Sequence, residues 1–303
     1  MWKLPTKYIL LAILACLLWS TAFVSVKIGL QYAKPFGFAG IRFMISGLIL
    51  LPFTGGILRY FGIIRANFQR ILILALIQTF IAYAFFYFGM TLVPGALAAI
   101  VIGASPLIFA VVAHVMMHDD KITLPKMVSM LIGFTGVAII GVSRRPWQSA
   151  GLTEFIGIFI LLAGSTSGAI GNVLVSKDGI RIPPLVLNSA QLFLGGLMLF
   201  IISLILEGSP VKAYPLEYYI ALIYLSILSA VAFSIWFYLL KKPGVKVSSL
   251  NLWKFIIPVL GAVIAWIVLP DEKPEISAII GMVFVALSIL SFNLCNMVSK
   301  NCD

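Results

Sequence analysis

Five stretches of this chain, 8–26, 155–176, 182–206, 218–240 and 276–299, each run for about twenty residues or more without a charged side chain. A helix needs about 20 apolar residues to cross a hydrocarbon core about 30 Å thick. No water inside that core can satisfy backbone N–H and C=O groups, so a spanning segment must be a helix or part of a closed barrel. The alternating ten-residue pattern of barrel strands is absent. An all-α membrane protein is the fold class that remains. Composition agrees: 62% of residues are hydrophobic, 10% are charged and the mean hydropathy is +1.13. Soluble domains carry about a quarter charged residues.

The chain also repeats itself. His118-Asp119-Asp120-Lys121 returns as Pro270-Asp271-Glu272-Lys273, and the same shift carries Pro106 onto Pro258. Earlier in each half, Pro35, Arg42 and Gly47 are spaced like Pro184, Gln191 and Gly196. The 303 residues therefore divide into two units, 1–149 and 150–303. Ten helices are predicted, over 8–27, 36–58, 69–91, 94–117, 125–143, 152–176, 184–206, 216–240, 246–269 and 276–298. The third and fourth are separated at Val93-Pro94-Gly95, where proline and glycine punctuate an uncharged stretch.

Five helices per unit is an odd number, so the second unit enters the membrane from the opposite side. The expected architecture is two inverted five-helix repeats, which gives two similar basins, one open to each face. With both termini cytoplasmic, 13 of the 21 Lys and Arg residues lie on that side and 6 on the other. This bias follows the positive-inside rule and favours N- and C-termini cytoplasmic, while composition points to a multi-pass protein of the plasma (inner) membrane.

The net charge of +11 is spread singly over helix ends, with no aromatic-interleaved basic patch, so nucleic acid is not an expected partner. Lys3 and Lys7 precede the first apolar run as in a signal peptide, but no cleavage site leads into a soluble domain and apolar spans continue to the end. Cys16, Cys295 and Cys302 lack paired spacing, so no disulfide framework or zinc site is indicated. His114 and His118 have helical i, i+4 spacing that fits a metal, and equally fits a solvated helix end. No metal and no cofactor are expected.

Charge inside the membrane is the strongest functional signal here. Lys254 lies within a span, about 12 Å along the helix from Lys246 at 1.5 Å per residue. Such a cation faces a wet cavity or partner, or else snorkels to the headgroups. In a cavity it would pair with a substrate carboxylate or other anion. None of the ten carboxylates lies mid-span, which argues against proton or sodium coupling and favours facilitated diffusion or exchange. Asn172, Gln191 and Asn251 carry hydrogen-bonding capacity that lipid cannot satisfy, so they face inward, towards substrate or neighbouring helices. Tyr83, Tyr87 and Trp236 belong to aromatic clusters on two equivalent spans, where inward rings would line a cavity and outward ones would meet lipid. Pro106 and Pro258 interrupt equivalent helices, as hinges or as fixed kinks.

The segment Leu18-Trp19-Ser20-Thr21-Ala22-Phe23, followed by Lys27, Pro35 and Arg42-Phe43, resembles the opening of the EamA domain of the drug/metabolite transporter superfamily. Ala98 through Pro106 followed by Asp120, and Ser248 through Pro258 followed by Glu272, look like that domain's small-residue helix with its trailing acidic residue. The resemblance covers nearly the whole chain. It implies ten helices in a 5+5 inverted repeat and transport of small metabolites, commonly export of amino acids or related compounds. It also implies a structural role for Arg42 and Lys27 and places Trp19 in the site. Asp120 stands where the family more often has Glu, and Lys254 lies in a helix the family keeps largely apolar.

The expected function is alternating-access transport of a small organic solute, zwitterionic or anionic with an apolar portion, by a monomer or weak homodimer in the lipid bilayer. A cationic drug exporter is the alternative within transport, and the absence of an intramembrane carboxylate disfavours it. A non-transporting scaffold or receptor is the alternative outside it. An intramembrane enzyme would need a nucleophile, base or metal constellation that this chain does not present.

Overall fold

A computed structural model describes residues 6–93, 95–143, 151–177, 182–209, 213–268 and 276–298, and every regular element among them is helical. In chain order these are α1 (Thr6–Tyr32), α2 (Pro35–Leu50), α3 (Ile57–Leu74), α4 (Ala82–Leu92), α5 (Gly95–Gly103), α6 (Ser105–Met116) and α7 (Leu124–Ser143). They are followed by α8 (Leu152–Lys177), α9 (Pro184–Leu206), α10 (Leu216–Leu240), α11 (Val247–Asn251), α12 (Ile256–Val268) and α13 (Ile276–Val298). Five helical segments, Pro35–Thr54, Ile57–Leu92, Leu152–Lys177, Pro184–Leu206 and Leu216–Leu240, are long and apolar enough to cross a membrane. Shorter apolar helices accompany them, and the molecule is a multi-pass membrane protein.

Two expected boundaries move. The helix expected over 36–58 stops earlier: α2 tightens into a 3-10 turn, Leu51–Thr54, and ends at Gly55 and Gly56, whose φ angles of 85° and 111° only glycine adopts freely. The stretch 59–68, left between the helices expected over 36–58 and 69–91, is helical instead. It forms one face of α3, with Leu58 and Phe61 exposed and Tyr60 buried. That helix kinks at Asn67, whose side-chain amide donates to the Ile63 carbonyl. It then continues through a π-helical segment, Ala75–Ile81, into α4. Amphipathic periodicity carries this segment, with Arg59 and Arg65 exposed on it.

Pro35 and Pro184 sit at the first positions of α2 and α9, where a missing N–H costs nothing and the fixed φ favours helix. The N-terminus of α2 is capped from a distant part of the chain. The Glu207 carboxylate, just past α9, accepts from the backbone N–H groups of Phe36 (2.9 Å) and Gly37 (2.8 Å), and Lys34 Nζ donates to the Glu207 carbonyl. Glu207→Ala should lower stability by about 1 kcal/mol, as loss of a helix cap does. A shift in thermal midpoint in detergent checks this, and an unchanged midpoint would mean the cap is redundant.

The two halves meet through reciprocal contacts. A Cβ on Gly47 would lie 2.7 Å from the Ser189 carbonyl and 2.8 Å from Phe193 N, and one on Gly196 would lie 2.9 Å from the Gly40 carbonyl and 2.7 Å from Met44 N. The shift that carries Gly47 onto Gly196 also carries Gly40 onto Ser189 and Met44 onto Phe193. Each contact is therefore the image of the other, and residue numbers on α2 and α9 run in opposite directions along the seam. A second pair, α7 and α13, behaves alike: Ser288 Oγ donates to the Ser129 carbonyl, and a Cβ on Gly136 would sit 2.5 Å from the Gly281 carbonyl. The shift that carries Pro106 onto Pro258 turns one of these contacts into the other. Likewise α1 packs on α10 and α12 as α8 packs on α4 and α6.

Both equivalent inner helices are interrupted. α5 gives way to α6 at Ala104, just before Pro106, and α11 passes through a 3-10 turn, Leu252–Phe255, just before Pro258 in α12. The main apolar core joins α1, α2, α9, α10 and α11.

Candidate functional site

Lys254 sits in the 3-10 turn between α11 and α12, half-buried among aromatic rings. Its ammonium lies 3.9 Å from the ring centroid of Phe109 (α6), 4.9 Å from that of Trp236 (α10) and 5.4 Å from that of Trp19 (α1). These distances place the charge against π faces, which attract a cation by about 0.5–2 kcal/mol and more strongly where water is excluded. No carboxylate pairs with it among the described residues. Sequence reasoning brought Lys254, Trp19 and Trp236 to one site, and the structure places them together. It missed Phe109, because a single phenylalanine in an apolar helix carries no signal of which way it points.

The local backbone explains how the lysine is presented. The 3-10 turn departs from α-helical spacing, and Cys16 Sγ on α1 donates to the Trp253 carbonyl at 3.4 Å within it. The N-terminus of α11 is held by Asp120. This carboxylate is fully buried and accepts from Ser248 N at 2.8 Å, from the Ser248 hydroxyl, and from Lys126 Nζ at 2.7 Å. Asp120 follows α6 in the first half, and Ser248 opens α11 in the second, so this cap ties the two halves together. The corresponding acidic residue Glu272 lies outside the described residues.

One turn before Lys254, Asn251 joins an amide ladder. Gln78 Nε2 donates to Asn172 Oδ1 at 3.3 Å, Asn172 Nδ2 to Asn251 Oδ1 at 3.2 Å, and Asn251 Nδ2 to the Val247 carbonyl at 2.8 Å. The π-helical segment makes this possible by turning Gln78 towards α8 and Thr79 towards α9. Thr79 donates to Gln191 Oε1, and Gln191 Nε2 donates to Asn188 Oδ1 at 3.0 Å. Gln191 is thus held by Thr79 from the π-helical segment and by Asn188 on its own helix, apart from the Lys254 cluster.

Arg42 is 4% exposed. Its Nε and Nη2 donate to Ser229 Oγ on α10 at 3.1 and 2.9 Å, and its Nη1 donates to the Tyr87 hydroxyl on α4 at 3.2 Å. Arg42 donates to a hydroxyl on α10 and Gln191, its counterpart in the other repeat, accepts from the Thr79 hydroxyl, so the polar position that differs between the repeats engages a hydroxyl in both. From Arg42 a run of rings leads to Lys254: Phe43 lies under the guanidinium at 4.6 Å, then come Tyr83, Phe233 and Trp19, with successive centroids 4.4, 6.3 and 5.5 Å apart. One buried cation and one half-buried cation thus stand at the two ends of a run of π surfaces.

Other candidates resolve simply. His114 Nδ1 accepts from Ile122 N at 3.0 Å, which makes it a loop tie, and no group of three potential metal ligands occurs among the described residues. The side chain of Lys27 and residues Asp271 to Lys273 lie outside the described residues.

Comparison with known proteins places this geometry. The description "EamA-like transporter family" matches residues 6–142 and again 155–294, so the family's domain is duplicated here. The chain is 24% identical over 292 residues to the uncharacterized transporter YvbV of Bacillus subtilis, covering 96% of this chain and 93% of that one. An uncharacterized transporter of Archaeoglobus fulgidus is 27% identical over 277 residues, covering 90% and 92%. The chloroplastic WAT1-related protein At3g02690 of Arabidopsis thaliana is 26% identical, covering 90% of this chain and 67% of that one. A solved crystal structure superposes with a TM-score of 0.81 at 19% identity over 96% of this chain and 98% of its own, which is agreement in fold. The chain belongs to the EamA-like transporter family, within the drug/metabolite transporter superfamily.

Proposed function

We propose that this protein carries a small organic solute with an anionic group and an apolar portion, amino acids included, by export or exchange across the plasma (inner) membrane. In this reading ten spans form two inverted five-helix repeats, 1–149 and 150–303, with both termini cytoplasmic, and the solute binds between them. The reciprocal, antiparallel contacts of α2 with α9 and of α7 with α13 support inversion. Two equivalent helices that run oppositely are related by a twofold axis across them, which lies in the membrane plane if the helices span it. Exchanging the roles of the two repeats then gives the oppositely facing state, which is alternating access.

The observation that carries the substrate class is the Lys254 ammonium, set among three aromatic rings with no carboxylate partner among the described residues. A cation so placed is a counter-ion for the solute, and the rings receive its apolar part. The same charge repels an organic cation, which weighs against a cationic drug exporter. Trp19, Trp236 and Asn251 would touch or border the solute. Arg42, Pro106 and Pro258 would serve the scaffold and its hinges.

Lys254→Met keeps the stem and removes the charge. Saturable flux of carboxylate-bearing solutes in proteoliposomes should fall by about tenfold or more, since a bond to a charged group contributes about 1.5–3 kcal/mol. The melting temperature should stay near that of the parent. Undiminished flux in a folded variant would refute the counter-ion role. No flux of any amino acid, organic anion or organic cation by the folded parent would favour a scaffold or receptor.

A further inference from the structure

Trp236 is 1% exposed, yet its indole N–H has no acceptor among the described residues. An indole nitrogen can only donate, and a buried one ordinarily finds a partner because leaving it unpaired is costly. Neighbouring side chains do not relieve it: Trp19 meets the ring edge-on with centroids 5.0 Å apart, and Lys254 is itself a donor. Two donor groups of different kinds, one charged and one neutral, therefore belong to the same aromatic cluster, and the indole N–H finds no acceptor there. Both are answered at once by a ligand group that presents two acceptor oxygens and no hydrogen.

We propose that Trp236 Nε1 and Lys254 Nζ together hold the two oxygens of one carboxylate on the transported solute, which makes Trp236 a specificity-determining donor as well as a cavity wall. This rests on the reading of Lys254 as the solute's counter-ion and adds a discrimination that charge alone does not provide. A primary carboxamide offers one oxygen and one NH2, so it leaves one of the two donors facing another donor. An ester replaces one oxygen's lone-pair face with an alkyl group. A site built on paired donors rejects both, because a buried polar group left unpaired is penalised more than a missing contact is. Phe109 and Trp19 then stack on the apolar portion of the solute.

The test uses phenyllactate and phenyllactamide, which differ only at the terminal group. Binding is measured by calorimetry on the full chain in detergent, for the parent, Trp236→Phe and Lys254→Met. Because phenylalanine is smaller, a second variant replaces Trp236 with benzothienylalanine, which keeps the bicyclic shape and lacks the N–H. The parent should prefer the acid to the amide, and that preference should fall about tenfold or more in both Trp236 variants through weaker acid binding. A preference unchanged in the folded benzothienyl variant, with acid binding lost in Lys254→Met, overturns the role of Trp236 and leaves the counter-ion reading standing. Acid binding unchanged in Lys254→Met, or absent in the parent, overturns both.

Discussion

Asp120→Ala should destabilise the protein by about 3–5 kcal/mol, the range for breaking a buried ion pair from one side. The removed carboxylate leaves the Lys126 ammonium, 6% exposed in its side chain, without a partner, and withdraws the acceptor of Ser248 N at the start of α11. Thermal midpoint in detergent reads the loss. Lys126→Met in the Asp120→Ala background should recover part of it, since the stranded charge is then gone and only the cap is missing. Asp120→Asn should fall between, because its amide oxygen still accepts from Ser248 N. If Asp120→Ala melts with the parent, the pair is spectator chemistry and the two halves are joined by other means.

The second large effect is steric. Gly47→Ala and Gly196→Ala should each cost about 1–3 kcal/mol, because each new methyl meets backbone atoms of the facing helix at 2.7 to 2.9 Å, and backbone cannot rotate aside. Their reciprocity adds a stricter expectation. The two single losses should be similar, and the double variant should lose less than their sum, since α2 and α9 once pushed apart have already made room. Gly62→Ala is the internal control. Nothing lies within 4 Å of its new methyl, and on an exposed helix alanine is favoured over glycine by about 0.5–1 kcal/mol, so this change should raise the midpoint. Equal losses at all three positions would show that helix propensity, not the seam, is being read.

Much of this was legible in the chain itself, for identifiable reasons. Uncharged runs of spanning length leave helices as the main option, and the echo of Pro35, Arg42 and Gly47 in Pro184, Gln191 and Gly196 marked two segments built on one template, though not that they face each other. Lys254 stood out because charge within a span is rare. What stayed hidden depends on orientation or on partners far along the chain. Phe109 is one ring among 22 phenylalanines, and only the fold turns it to the ammonium. Asp120 reads as an acidic residue at a helix end, and nothing local reveals that its partner is Ser248 in the other half. The π-helical widening at Ala75–Ile81 leaves no compositional trace, yet it aims Gln78 and Thr79.

The α2–α9 seam has a mechanical meaning beyond close packing. Where Gly40, Gly47 and Gly196 face the opposite main chain, the two backbones lie close enough for the Ser189 hydroxyl to donate to the Gly47 carbonyl across the seam. Such a joint behaves as a pinned bearing: small residues let the helices lie close, and a side-chain bond holds their register. In the proposed cycle the pace of turnover is then set at contacts that must break, and the buried clasp of Asp120 on Ser248, braced by Lys126, is one of those that span the two halves.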